Sequence, residues 1–137
     1  MFLQKEDKQF SLYRIVMPLP IIHNIETRQG LLDLLPSNPG LIFIKFGAEW
    51  CAPCKKIEKD LENHFANMPD NVQCVILDLD ECFDVYAYMK SKKMVQSIPS
   101  VICYQKGSDT YVPDDVYCGS DKSELDAFFE RCKEELL

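Results

Sequence analysis

A short β-rich run, Leu41-Ile42-Phe43-Ile44-Lys45-Phe46, leads almost directly into the pair Cys51 and Cys54, and helical spacing starts as soon as that pair is passed. Apolar residues at Ile57, Leu61, Phe65 and Met68 give the stretch Lys55 to Met68 one buried stripe. Cys51 therefore falls where a buried strand hands over to a helix. Pro53 lies just inside the start, where its missing N–H costs nothing. The unpaired N–H groups and positive dipole end of a helix N-terminus stabilise a thiolate, so Cys51 is expected to ionise below the roughly 8.5 of a free thiol. Cys54, one turn in, is expected to be more covered. Two thiols at this spacing can close a small ring, and opening and closing it moves two electrons.

The same spacing occurs in half of a zinc site. Such a site needs four ligands, usually from paired clusters. No second Cys-x-x-Cys is present, His23 and His64 stand apart, and the other cysteines are scattered, so no metal is expected. A purely structural disulfide is a weak alternative, because closing so short a ring stabilises little.

Ala48-Glu49-Trp50-Cys51-Ala52-Pro53-Cys54-Lys55, followed much later by Ser97-Ile98-Pro99-Ser100, resembles the thioredoxin family, and the similarity runs from about Ile21 to the C-terminus. The resemblance implies an α/β fold, a three-layer sandwich in which a central mixed sheet carries helices on both faces. It implies a redox-active disulfide between Cys51 and Cys54, with Cys51 attacking substrate and Cys54 resolving. Pro99 is carried over as a cis-proline facing the cysteines and Ile98 as a backbone partner for an incoming peptide. Gly119 matches the family glycine that flattens the substrate groove. Trp50, Ile98, Pro99 and Gly119 are thus the implied substrate-binding residues, and Lys45, Ala52 and Pro53 the residues that modulate the pair.

With 137 residues, 47% apolar and 27% charged, the chain suits one domain with one ordinary core. Residues 1–20 read as an N-terminal extension and 21–137 as the domain. Phe10, Leu12, Ile15 and Val16 would form a short strand or an arm over the domain, although a partly ordered tail is the expected reading. No stretch is long and apolar enough for a membrane span, and Met1 to Lys8 turn charged too soon for a signal peptide. Seven cysteines leave at least one without an internal partner, which argues for a reducing compartment and hence a cytoplasmic protein. A net charge of −7 argues against nucleic acid. A monomer is expected that binds no cofactor, acts on protein disulfide substrates, and takes electrons from a thioredoxin-reductase-type or other dithiol donor.

Ile21-Ile22 reads as a first strand, and Asn24 as the N-cap of a helix with Leu31, Leu34 and Leu35 on its buried stripe. Val72 to Leu79 reads as a strand covered on both faces, Val85 to Met94 as a helix and Val101 to Tyr104 as a strand. Lys106-Gly107-Ser108-Asp109 reads as a hairpin turn. Thr110 to Cys118 should return as a strand interrupted at Pro113. Asp121 and Glu124 form a capping pattern for a last helix with Leu125, Phe128, Phe129, Cys132 and Leu136 on one face. The acidic cluster Asp78, Asp80, Glu81 and Asp84 reads as a solvated loop and helix start.

Lys45 departs from the family, which usually holds a buried acid at the matching position. Alternation with Leu41 and Phe43 points it inward beneath the cysteines. Either the ammonium stays buried with a lowered pKa and acts as a base, or its stem bends toward solvent or an acid and it is mechanistically passive; the passive reading is preferred. A charge kept near the thiols would make the couple more oxidising, and Lys45→Asp a better reductant. Gly47, where the family often has a bulky aromatic, is expected to leave a space under the pair. Lys59 replaces a frequent proline and predicts a straighter helix. Cys74, Cys103 and Cys132 read as core, Cys82 as a loop residue, and Cys118 as a groove-lining residue on the rim beside Gly119. Two other functions remain open: a thioredoxin-fold adaptor with little turnover, motivated by Lys45 and by a last hairpin a few residues longer than is typical of the family, and a more oxidising disulfide oxidase or isomerase.

Overall fold

The computed structural model describes residues 17–137, so the expected strand or arm over Phe10 to Val16 lies outside the described residues. In chain order the elements are α1 (Arg28–Leu34), β1 (Leu41–Gly47), α2 (Ala52–Ala66), β2 (Val72–Asp78), α3 (Phe83–Ser91), β3 (Ser100–Gln105), β4 (Asp115–Cys118) and α4 (Lys122–Lys133). The four strands form one sheet in the order β2-β1-β3-β4. β1 runs parallel to β2 and antiparallel to β3, and β4 pairs antiparallel with β3. The sheet is therefore mixed, with β1 inside it.

Period-two alternation along β1 supplies both layers of core. Ile42, Ile44 and Phe46 pack with Leu31 and Leu35 of the first helical segment and with Val85, Tyr86 and Met89 of α3. Leu41 and Phe43 pack on the opposite face with Ile57, Leu61 and Phe65 of α2 and Leu125, Phe128 and Phe129 of α4. Helices thus cover both faces, giving the expected three-layer α/β sandwich. Asn38, buried in the turn before β1, donates to the Tyr104 carbonyl (3.0 Å) and accepts from the Gly40 N–H (2.9 Å), which sets the angle at which β1 enters the sheet.

Three expected boundaries need correction. Thr27, not Asn24, caps α1, accepting from the Gly30 N–H at 3.3 Å. Either side chain has capping chemistry, but the Asn24 Oδ1 is taken by the Cys82 thiol at 3.1 Å. The first strand shrinks to a single parallel bridge between Ile22 and Val75, which leaves β2 at the sheet edge with Gln73, Ile76 and Asp78 only half-buried. The return strand begins at Asp115, because Pro113 lacks a ladder donor. Asp114 closes the hairpin instead: its N–H donates to the Cys103 carbonyl (2.8 Å), and its carboxylate accepts from the Gln105 N–H (2.7 Å) and the Ser108 hydroxyl (2.6 Å).

The last helix starts as expected, with the Asp121 carboxylate accepting from the Glu124 N–H at 3.0 Å. Leu125, Phe128, Phe129 and Cys132 are buried, and Leu136, in a following 3-10 turn, is half-buried. At its far end Arg131 grips Asp115 through Nε (2.6 Å) and Nη2 (3.0 Å), tying α4 to β4. That guanidinium holds the Asp115 carboxyl below its ordinary value. A carboxyl depressed in the folded state contributes stability above its unfolded value, about 4, and loses it as pH falls through the folded one. The urea midpoint is therefore expected to drop with acidification below about pH 4, and Arg131→Gln should flatten that limb.

Candidate redox site

The site is assembled at one end of the sheet, where β1 and β2 finish and β3 starts. Beyond Gly47 the chain turns through Ala48 to Trp50, with the Cys51 N–H donating to the Ala48 carbonyl at 3.2 Å. Cys51 is the N-cap of α2, in extended conformation at φ −89° and ψ 106°. Its sulfur takes the place of a capping oxygen, accepting from the Cys54 N–H at 3.2 Å. Pro53 occupies the first turn and the helix runs unbroken through Lys59 to Ala66. A sulfur at this position receives a backbone donor and the dipole's positive end together, the two influences that stabilise a thiolate.

Cys51 and Cys54 are joined by a disulfide, their Cα atoms 5.2 Å apart. They are 5% and 3% exposed, so the expected difference in cover between them is small in this closed form. Ala52 and Pro53 between them are exposed. Trp50 is also exposed, with its indole N–H donating to Asp80 at 3.3 Å. Asp80 was not among the residues expected at the site. Only the run of acids after β2 signalled it, and a contact spanning 30 residues of chain leaves no local pattern.

The Ile98–Pro99 bond is cis. Pro99 directly precedes β3, whose first residue, Ser100, pairs with Phe46 at the end of β1, so this loop sits at the cysteine end of the sheet. Ile98 is half-buried and packs on the core cluster that contains Cys51 and Cys54. Gly119, just past β4, donates its N–H to the Pro99 carbonyl at 3.2 Å. It adopts φ +149°, which a side chain rarely tolerates, and a Cβ there would meet the Tyr117 hydroxyl at 3.3 Å. The structure thus brings Trp50, Cys51, Cys54, Ile98, Pro99 and Gly119 to one end of the molecule.

A family model described as Thioredoxin matches residues 28–131 of the chain. The chain belongs to the thioredoxin family. It is 30% identical over 108 residues to the thioredoxin of Equus caballus, an alignment covering 78% of this chain and 94% of that one. It is likewise 30% identical over 107 residues to thioredoxin 1 of Plasmodium falciparum, with the same coverage. The solved thioredoxin of Trichomonas vaginalis superposes with a TM-score of 0.60 at 27% identity, covering 82% of this chain and 96% of the other. Membership of the thioredoxin family and the closed Cys51–Cys54 pair make this protein a thiol-disulfide oxidoreductase. Among the described residues no helix is long and apolar enough to cross a membrane.

The remaining thiols of this thioredoxin-family protein have different surroundings. Burial pushes the Cys74 thiol up to about 12. Cys103 is also raised, first by its hydrogen bond with Cys132 and then by burial. Cys82 lies on the loop after β2, as expected, and is buried there against Asn24 and the His23 carbonyl. Cys118 is exposed on the rim, 3.3 Å from the Ser97 hydroxyl. In the folded, oxidised protein iodoacetamide is expected to modify Cys118 before the other free cysteines. Cys74 and Cys103 should react only after denaturant is added, as peptide mapping would show.

Proposed function

We propose that the protein reduces protein disulfides by dithiol-disulfide exchange. The Cys51 thiolate attacks one sulfur of a substrate disulfide, forming a mixed disulfide and releasing the other substrate sulfur as a thiolate. Cys54, deprotonated, then attacks the Cys51 sulfur. The mixed disulfide breaks, the second substrate thiolate leaves, and the two electrons of the dithiol have passed to the substrate. Trp50, Ile98, Pro99 and Gly119 form the surface on which the substrate strand lies.

The observation that carries this reading is the Cys51 sulfur in the cap of α2, bonded to Cys54 and accepting its N–H. The protein works as a cytoplasmic monomer, and its dithiol is regenerated by a separate donor such as a thioredoxin-reductase-type enzyme. Reduction of insulin disulfides by dithiothreitol, followed by turbidity, tests it. The wild type is expected to accelerate the reaction and both Cys51→Ser and Cys54→Ser to lose the acceleration. Wild-type protein no faster than Cys51→Ser would instead mark a binding adaptor.

A further inference from the structure

Lys45 is the one charged side chain of β1 and lies on the face that α2 covers, flanked across the sheet by Ile76 and Val101. It is half-buried, and among the described residues no carboxylate pairs with it. Its ammonium is not sealed from water, and the missing side chain at Gly47 leaves room for it. A Cβ at Gly47 would stand 3.0 Å from Lys45 Cε, 3.3 Å from its Nζ and 3.6 Å from the Cys54 sulfur. The ammonium and the resolving sulfur therefore border the same small space, which a side chain at position 47 would fill.

That space opens into a cleft of about 320 Å³ whose charged lining is Lys45, Glu49, Lys55, Glu58 and Asp78. Glu49, Lys55 and Glu58 are exposed, where solvent and salt screen their fields. Asp78 is half-buried, and its carboxylate already accepts the Asp80 N–H at 2.8 Å. Lys45 and Asp78 are thus the half-buried charges of the cleft, and of the two only Lys45 can stabilise an anion on the sulfur. In the disulfide Cys54 carries no charge, but as a free thiol it becomes an anion when it loses its proton.

We propose that Lys45 is the counter-ion of the Cys54 thiolate, a positioning residue that keeps the resolving cysteine ionised in the reduced protein. The Cys54 proton passes to water in the cleft, and the thiolate left behind is ready to attack the Cys51 sulfur of a mixed disulfide. The charge also stabilises the dithiol over the disulfide, so the couple is more oxidising than it would be without Lys45. This gives Lys45 an active part in place of the passive one expected from sequence. The inference rests on the exchange reaction proposed above and deepens it.

The test compares Lys45→Met and Lys45→Arg with the parent. Cys54 is titrated by 13C-cysteine NMR in a Cys51→Ser background, so that it titrates alone. The glutathione equilibrium is measured with both cysteines present. Lys45→Met is expected to raise the Cys54 pKa by about one unit, a tenfold loss of thiolate below that pKa. At a pH above that pKa it should also lower the equilibrium constant for reduction about tenfold, which is about 30 mV toward a better reductant. Lys45→Arg should restore most of both. An unchanged Cys54 titration and equilibrium constant in folded Lys45→Met overturns the proposal. Should Lys45→Met fail to fold, Gly47→Ala displaces the ammonium from the sulfur and must shift both quantities the same way, and no shift again overturns it. Insulin turnover by the wild type keeps the two readings apart. Turnover with no Lys45 effect sinks only the counter-ion, whereas a Lys45 effect without turnover sinks only the proposed reductase.

Discussion

In the Cys51→Ser protein, catalysed disulfide reduction falls by about a thousandfold or more, to the rate of the dithiol reagent alone. Serine is slightly smaller but is a preferred N-cap residue and can still accept the Cys54 N–H in the cap of α2, so the helix start is retained. What is lost is the nucleophile, since a hydroxyl beside a backbone donor does not ionise near neutral pH. Cys54→Ser is expected to differ in kind rather than degree. Cys51 still attacks, but the mixed disulfide has no internal thiol to break it, and the protein stays coupled to its substrate. Incubation with a disulfide-bonded substrate followed by non-reducing electrophoresis separates the two. An adduct is expected with Cys54→Ser and none with Cys51→Ser. An adduct with both variants, or with Cys51→Ser alone, would contradict the assignment of attacker and resolver.

Phe43→Ala has the largest expected effect on stability. Phe43 is fully buried in β1, its ring 4.9 Å from Phe129, 6.0 Å from Phe128 and 6.5 Å from Phe65. It joins α2 and α4 to the sheet, and neither helix can collapse onto the gap without giving up its own contacts. Truncating such a ring costs about 3–5 kcal/mol, the lost transfer free energy plus a cavity. For a chain of this length that lowers Tm by about 10–20 °C. Urea titration should show the midpoint falling with an unchanged slope, the signature of lost stability rather than an altered unfolded state. A loss below about 1 kcal/mol would mean that the aromatic cluster repacks around alanine.

The strand-to-helix handover was legible because three signals agree over a short stretch. β1 is a β-rich apolar run broken only by Lys45, α2 has 3.6-residue spacing, and Pro53 fits only the first turn of a helix. The misplaced boundaries share a different cause. Asn24 and Thr27 are equally good caps in isolation, and the choice is made by Cys82, far along the chain, taking the Asn24 side chain. The short first strand has the same origin, for its one bridge is to Val75. Pro113 announced an interruption, but the polar closure by Asp114 depends on where Gln105 and Ser108 sit after folding.

The candidate site divides along the same line. Cys51, Cys54 and Pro53 could be read from local pattern, whereas Pro99 and Gly119 rested on family resemblance because nothing in their own neighbourhoods points to the cysteines. The fold joins them, through the Gly119 N–H to the Pro99 carbonyl and through the pairing of Ser100 with Phe46. Alternation put Lys45 on the right face of the sheet. Where its ammonium ends depends on the missing side chain at Gly47, a three-dimensional fact that neither residue carries alone.

Whether the cap of α2 makes the Cys51 sulfur unusually acidic is read from the pH profile of iodoacetamide alkylation at Cys51 in the reduced protein, with each modified cysteine identified by mass spectrometry. Cys51 is expected to be the fastest thiol to react at pH 6, with an apparent pKa at least about one unit below the 8.5 of a free thiol. A Cys51 that alkylates no faster than Cys118, with an apparent pKa at or above the free value, would contradict it.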